Sequence, residues 1–348
     1  MQDQLTIEHA RDLRLLQAIS PEVVDVYLWN LKPEAVRLPL LPAHVTGLCL
    51  QNVTLVGPVA FSEGLIYLML DLVESEVPIE EWQFPASLRT IEIRKSKFTT
   101  LDLSQTRLTE LTLERQKTHN GRIVLPPSLL ILGLNHCWFR KLPRIPASLK
   151  SLWLVDCSRV TDFSPASEVK IEDLSTDRSV PLYANFPELI GLTLTDVKGG
   201  FSEISLTHLR YLRFSDCVIT EPVELNAPNL VEITFYNSDQ VPIRGNFAES
   251  VAKISLRGHS SFPGDEDWAS LTTLEIRNVE RRPYGPEQGS AATVTEVELP
   301  CLPWLRRLAV AEPVLTNGVM ISNLYEYRQA WGMTRRAKRP QYESEQEA

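Results

Sequence analysis

The feature that most constrains this chain is an apolar hexad, h-x-x-h-x-h, that recurs at intervals of 20 to 23 residues. The last apolar residue of each hexad falls at Leu28, Leu50, Leu70, Ile93, Leu113, Leu134, Leu154, Leu174, Leu194, Phe214, Phe235, Leu256 and Ile276. The x-h-x-h part alternates with period two, as in a short strand with one buried face. A fixed period of this length is typical of a solenoid, in which each repeat packs only on its neighbours.

The segments that lead into the hexads often carry proline, in the form h-P-x-S-L. Examples are residues 125–129 (Leu-Pro-Pro-Ser-Leu) and 145–149 (Ile-Pro-Ala-Ser-Leu). Proline fixes its own φ and disfavours helix in the residue before it. Roughly eight to ten residues remain for the return part of each coil, which is shorter than an average helix. We therefore expect extended or single-turn 3-10 segments there.

These motifs resemble the leucine-rich-repeat superfamily, with its pattern L-x-x-L-x-L-x-x-N/C-x-L, in a short form with h-P-x-S-L openings. The resemblance covers roughly residues 23–315. It implies an α/β fold class: a right-handed, horseshoe-like solenoid with a parallel inner β-sheet and a helix-poor convex side. The asparagine site of the family falls on Cys137, Cys157 and Cys217 in three coils and on other residue types elsewhere, so this chain lacks an asparagine ladder.

Four segments follow from the repeat and its ends. Residues 1–20 are predicted to form an N-terminal helical cap, because positions 6–19 have an amphipathic pattern. Residues 21–316 form the solenoid of about 13–15 coils, with irregular spacing after Ile276. Residues 317–333 form a C-terminal cap, since a terminal repeat would otherwise expose its core. Residues 334–348 form a polar tail that we expect to be disordered.

Composition argues against several function classes. The net charge of −9 opposes binding to nucleic acid or to a membrane surface, which requires a positive field. No apolar run approaches the roughly 18 residues of a membrane span, and no signal peptide is visible. Five cysteines without C-x-x-C spacing fit reduced thiols in a cytoplasmic or nuclear protein. The basic run Arg335, Arg336, Lys338 and Arg339 is either a nuclear-import signal or a solvated tail.

Motifs for catalysis are missing from the sequence. It contains no glycine-rich phosphate loop, no histidines with metal-ligand spacing, and neither G-x-S-x-G nor H-E-x-x-H. We therefore predict a protein that is not an enzyme and uses neither a cofactor nor a metal. Cys137, Cys157 and Cys217 are whole repeats apart, so they are predicted to be buried packing residues. Cys49 stands between two apolar strand positions and is predicted to face outward.

Aromatic and arginine residues at outward strand positions are the candidate binding residues, because Trp, Tyr and Arg most often dominate binding energy. One predicted group in the middle of the chain holds Trp153, Tyr211, Arg213 and Tyr236, and a second group near the start holds Tyr27, Trp29 and Tyr67. The expected function is a monomeric, non-enzymatic scaffold that binds a protein partner on the concave face, and neither nucleic acid nor a membrane.

Two alternative functions stay open at this point. The first is a substrate-recognition subunit of a ubiquitin ligase, although no F-box is visible. The second is a cell-surface or adhesion repeat protein, which the missing signal peptide and cysteine caps oppose.

Overall fold

The computed structural model divides the chain into two compact units, Met1–Thr195 and Asp196–Ala348. It describes residues 4–31, 34–96, 100–116, 122–157, 160, 169–177, 186–199, 203–238, 241–247, 249–258, 262–263, 268, 270–277, 299–311, 314–316, 319–331 and 333. The basic run at 335–339 and the rest of the predicted tail lie outside these residues. Strands are numbered in chain order, and those of the main sheet alternate with shorter return strands.

The first unit is built on one parallel sheet with one strand per coil. Its strands, within the described residues, are β1 (Gln4–Ile7), β2 (Asp25–Trp29), β4 (Gly47–Gln51), β6 (Tyr67–Asp71), β8 (Thr90–Arg94), β10 (Glu110–Glu114), β12 (Ile131–Asn135), β13 (Ser151–Val155), β14 (Asp173–Thr176) and β15 (Gly191–Thr195). Neighbouring strands pair in register, so Leu50 lies opposite Leu28 and Leu70. All three side chains are buried, and such leucine rows form the core.

The return segments of the first unit are extended and short, as the coil length requires. They contain β3 (Ala35–Val36), β5 (Thr54–Leu55), β7 (Glu74–Ser75), β9 (Thr100–Asp102), β11 (Arg122–Val124) and a 3-10 helix at Ile79–Glu81. The first three pair as one small parallel sheet, and β9 pairs with β11 as another. The expectation of extended and 3-10 return segments is confirmed.

The second unit repeats this architecture. Its main parallel sheet contains β17 (Tyr211–Ser215), β19 (Glu232–Tyr236), β21 (Lys253–Arg257), β22 (Thr273–Arg277) and β23 (Arg307–Val310). The return strands β16 (Glu203–Ser205), β18 (Val223–Asn226) and β20 (Ile243–Arg244) pair as a small parallel sheet. Among the described residues the one α-helix is α1 (Leu324–Ala330), which follows the antiparallel pair β24 (Val314–Thr316) and β25 (Val319–Ile321). The predicted parallel, helix-poor solenoid is confirmed.

Both predicted caps contain helix, but the N-terminal one begins differently from the prediction. Residues Gln4–Ile7 form a strand that pairs in parallel with β2, and only Ala10–Ala18 is helical, of the 3-10 type. At the other end, Tyr327 of α1 is buried. Its hydroxyl accepts a hydrogen bond from the Leu302 amide (2.8 Å) and donates one to the Pro300 carbonyl (2.5 Å).

One coil has a different register from the one that the hexad series predicts. The series takes Leu174 as the last apolar residue of its hexad, whereas Leu174 pairs with Leu152 and Leu192, the first strand apolars of their coils. The last core position of this coil is held by Thr176, which is fully buried opposite Leu154 and Leu194. The prediction was wrong by two residues because a polar residue occupies a core position.

The serine of the h-P-x-S-L opening connects neighbouring coils. The hydroxyls of Ser87, Ser128 and Ser148 donate hydrogen bonds of 2.7, 2.8 and 2.7 Å to the carbonyls of Leu65, Leu108 and Leu129. Each acceptor belongs to the preceding coil. In the second unit the side-chain amide of Asn229 donates a hydrogen bond to the Thr207 carbonyl of the preceding coil, at 2.7 Å. The recurring serine therefore satisfies a backbone group that the turn leaves without a partner.

A left-handed residue follows most of the main strands. These residues are Asn30, Asn52, Leu72, Lys95, Arg115, His136, Asp156, Asp196, Asp216 and Asn237, with φ between 46° and 56°. The backbone N–H of Asn52 donates a hydrogen bond to the Asp71 carbonyl of the next coil at 2.8 Å. The backbone N–H of Asp216 donates in the same way to the Tyr236 carbonyl. Asn and Asp tolerate this conformation better than other non-glycine residues, which explains why six of the ten are Asn or Asp.

Thiols and hydroxyls stand at the positions where the repeat pattern has its Asn or Cys. The Cys137 thiol donates to the carbonyls of Leu113 (3.2 Å) and Asn135 (3.4 Å), and Cys157 makes the equivalent bond to Leu134 at 3.0 Å. In the second unit, the Cys217 amide donates to the Ser238 hydroxyl at 3.0 Å. The prediction that Cys137, Cys157 and Cys217 are buried is confirmed, and all three are free thiols.

The substitution Cys137→Ala is expected to lower the free energy of unfolding by about 1–2 kcal/mol, as a small core truncation. A hydrogen bond with Cys157 and burial both raise the pKa of the Cys137 thiol, so the reactive thiolate is suppressed. We expect slow labelling of the native protein by a thiol reagent, followed by mass spectrometry. The exposed Cys301 provides the internal control, and equal labelling rates at both cysteines would contradict this assignment.

Candidate functional site

The open face of each main sheet, meaning the side opposite the buried leucine rows, presents the candidate site. It carries the side chains at the first, third and fifth positions of the five-residue strands. In β10 and β19 these positions are half-buried, while the second and fourth positions are buried. Because the strands pair in register, the open-face side chains of successive coils form three rows across the sheet.

In the first unit the predicted early group is only partly brought together. Trp29 is 50% exposed at the end of β2, and Tyr27 and Tyr67 are half-buried on β2 and β6. Strand β4 runs between these two tyrosines and places Cys49 beside Tyr27. The two tyrosines therefore lie on the same face of the sheet, but one strand separates them and they are not directly opposite each other.

Cys49 lies at an outward position of β4, as predicted, but it is covered, with only 5% of its surface exposed. Its neighbours in the central row are Tyr27 and Met69, and it forms a side-chain hydrogen bond with Tyr27. Burial raises the pKa of the Cys49 thiol to about 11. The predicted outward direction is therefore right, but it does not give exposure, because Tyr27 and Met69 on the neighbouring coils are large side chains.

A charged network next to Tyr67 was absent from the predicted site. The Arg94 guanidinium contacts Glu92 at 2.8 Å and Glu114 at 3.5 Å. Burial, and next the charge of Glu92, raise the pKa of Tyr67, which also forms a hydrogen bond with Glu92. The sequence could have indicated this network, because Arg94 and Glu114 have opposite charges and occupy the same strand position in adjacent coils.

Trp153 in β13 is 37% exposed and lies against a glycine. In the central row, Gly133 separates Thr112 from Trp153. A Cβ added to Gly133 would lie 3.3 Å from the Trp153 ring and 3.1 Å from the Thr112 hydroxyl oxygen. Gly133 therefore leaves room for the indole, which covers the neighbouring strand without entering the core.

In the second unit three of the predicted residues lie close together. Tyr211 and Arg213 are exposed on β17, with 49% of Tyr211 accessible. The Arg213 guanidinium carbon stands 5.8 Å from the centre of the Tyr236 ring, which is within cation–π range. Tyr236 has Ser215 and Arg257 as its register partners. Trp153, the fourth residue of the predicted middle group, belongs to the first unit.

The described parts of the chain offer no metal site and no membrane helix. No three His, Cys, Asp or Glu side chains are grouped as metal ligands there. Within the same residues, no helix combines the length and the apolar character needed to cross a membrane. The described open-face residues can chiefly supply aromatic surfaces, charged groups and hydrogen-bonding side chains.

No protein-family model and no curated protein matches the sequence. Among solved structures, the chain is similar to CroV588, whose crystal structure is described as a novel circular leucine-rich-repeat protein. The identity is 16%, the TM-score is 0.47, and the match covers 88% of this chain and 50% of that chain. This chain therefore spans about half the length of CroV588.

The fold itself rests on the coils of this chain. Each hexad contributes one strand to a parallel sheet, with its apolar residues in register with those of the next coil. The position directly after the left-handed residue is the N/C position of the repeat pattern. There the buried side chains of Cys137, Cys157 and Ser238 donate hydrogen bonds to backbone carbonyls, as that position requires. By its own repeat, register and hydrogen bonding, this chain has the fold of a leucine-rich-repeat solenoid.

Proposed function

We propose that this chain is a non-enzymatic recognition module that binds a protein partner on the open faces of its sheets. The observation that carries the proposal is the exposure of Trp29, Trp153 and Tyr211 at strand positions that point away from the core. Large aromatic side chains in such places stay outside the core and leave much of their apolar surface open to solvent. They are the residue types that most often anchor a protein interface.

The buried thiols support a binding function over a catalytic one. Burial raises the pKa values of Cys49 and Cys217, and a hydrogen bond with Cys157 together with burial raises that of Cys137. None of these thiols is therefore poised as a thiolate nucleophile. The carboxylates Glu92 and Glu114 on the open face of the first unit both form ion pairs with Arg94. A protein interface uses such groups directly, as hydrogen-bonding and charged contacts around aromatic anchors.

The test is affinity capture from native lysate, followed by calorimetry with the purified partner. Trp153→Ala is expected to weaken binding by about 2 kcal/mol, or roughly 30-fold, if the indole is an anchor. Tyr211→Ala tests the second unit in the same way. The matched control is Leu40→Ala, because Leu40 is 68% exposed and lies outside the strands.

The proposal fails if the captured partner binds the Trp153→Ala/Tyr211→Ala double variant at full affinity while the variant keeps its circular dichroism spectrum. Recovery of a ubiquitin-ligase core would favour the substrate-recognition role among the alternatives. Recovery of an extracellular ligand would favour the adhesion role.

A further inference from the structure

The open face of the second unit carries an excess of positive charge, although the whole chain has a net charge of −9. The main-sheet strands of this unit contain five basic residues and two carboxylates, namely Arg213, Lys253, Arg257, Arg277 and Arg307 against Glu232 and Glu275. The corresponding strands of the first unit have the opposite balance, with six carboxylates and one arginine. The basic excess is therefore a local property of this sheet.

Both carboxylates of the second unit's open face are already paired within that face. The Lys253 ammonium lies 3.0 Å from Glu232 and 3.5 Å from Glu275, and Arg277 lies 3.9 Å from Glu275. Glu275 is 9% exposed, so a ligand has little access to it. These pairs neutralise both carboxylates of the main strands, and they involve neither Arg213 nor Arg307.

Arg213 and Arg307 are exposed at opposite ends of this sheet, on β17 and β23. Among the described residues, neither forms an ion pair with a carboxylate. Arg213 is instead held over the Tyr236 ring at 5.8 Å, which orients its guanidinium without neutralising it. An oriented and unpaired guanidinium is suited to bind a carboxylate through two parallel hydrogen bonds.

We propose that this face binds an acidic segment of a partner protein, with Arg213 and Arg307 as the two outer contacts. The inference rests on the proposed function and names the chemistry of the partner. Five strands span about 19 Å at the usual strand spacing of about 4.8 Å. About six residues of extended chain cover that distance. Tyr211, at the first position of β17, offers an aromatic surface for an apolar residue beside the acidic ones.

An acidic protein segment fits the charges better than a nucleic acid does. The retained pairs of Lys253 with Glu232 and Glu275 interrupt the positive surface, so it lacks the continuous basic stripe that tracks a phosphate backbone. Spaced carboxylates on a short peptide match isolated guanidinium groups on the face.

The experiment measures binding of two fluorescein-labelled twelve-residue peptides to the full chain by fluorescence anisotropy. One peptide repeats Asp-Glu-Tyr four times, and the other repeats Asn-Gln-Tyr. We expect the acidic peptide to bind at least tenfold more tightly than the neutral one. We expect Arg213→Glu to weaken its binding at least tenfold, and Arg307→Glu to act in the same direction.

The matched control is Arg244→Glu, which makes the same charge change in the same unit. Arg244 is exposed on β20, in the return sheet, and its substitution should alter binding less than twofold. Circular dichroism verifies that each variant is folded. Because the contacts are partly exposed, raising the salt from 50 to 300 mM should weaken the acidic peptide severalfold.

Three results would overturn the inference: no preference for the acidic peptide, equal losses for Arg213→Glu and Arg244→Glu, or complete displacement by an equimolar single-stranded DNA 12-mer. The last result would assign a general polyanion surface. None of them bears on the Trp153 and Tyr211 variants, so a partner that needs those aromatic residues and has no acidic segment would leave the proposed function standing.

Discussion

Phe235→Ala should lower the free energy of unfolding by about 3–5 kcal/mol, the range for removing a buried phenylalanine. Phe235 is fully buried in β19, and its ring stacks on Phe214 of the preceding coil, with centroids 5.4 Å apart. The substitution removes this contact and opens a cavity between two coils. Denaturant unfolding followed by far-ultraviolet circular dichroism measures the loss.

Two further variants test whether the loss of stability at Phe235 is caused by its burial in the core. Thr234→Ala changes the adjacent open-face residue and should alter stability by less than about 0.5 kcal/mol. Phe235→Leu keeps most of the apolar volume and should cost about 1.5 kcal/mol at most. A loss at Thr234 as large as the loss at Phe235 would mean that the alternation of buried and open-face residues is assigned wrongly.

Gly64→Ala should destabilise the chain by about 3 kcal/mol, at the upper end of the usual range for overpacking. Gly64 occupies the position that serine holds in the h-P-x-S-L openings. An added Cβ would lie 1.8 Å from the backbone carbonyl oxygen of Ala43 and 2.7 Å from its carbonyl carbon. Because the obstacle is backbone, the neighbouring coil itself must move, and a rotamer change cannot relieve the contact.

Gly133→Ala is the matched control for Gly64→Ala. The atoms nearest to its added Cβ are the Thr112 hydroxyl oxygen and a ring carbon of Trp153, at 3.1 and 3.3 Å. These atoms can move by a few tenths of an ångström, so we expect a change below about 1 kcal/mol. Thermal unfolding of both variants ranks them, and a greater loss at Gly133 would contradict the close coil contact at Gly64.

The hexad was a reliable guide to the strands because its signal is contained in six consecutive residues. Leu152 and Leu154 are buried at the predicted alternate positions, and Trp153 between them is exposed. The hexad pattern missed the correct register at Thr176, because this core position holds a polar residue and the pattern counts only apolar ones. An apolar pattern therefore gives the register of a strand only when both of its core positions are apolar.

The left-handed turns after the strands were not predicted, and residue type accounts for only six of the ten, those at Asn or Asp. Leu72, Lys95, Arg115 and His136 adopt the same conformation without that signal. Their backbone is held by hydrogen bonds to the next coil, as in the Leu72 amide to the Arg94 carbonyl at 3.0 Å. The geometry of the neighbouring coil outweighs the local preference of these residues.

The sequence by itself determined the coil, its strand, the buried thiols and the outward direction of Trp153, Tyr211, Arg213 and Tyr236. Each of these follows from a pattern within one repeat, where period-two alternation separates core from surface. Only the tertiary structure decided that Cys49 is covered, that Trp153 rests on Gly133 and that Arg213 lies over Tyr236. Those contacts join side chains about twenty residues apart, and they depend on the register and rotamers of adjacent coils.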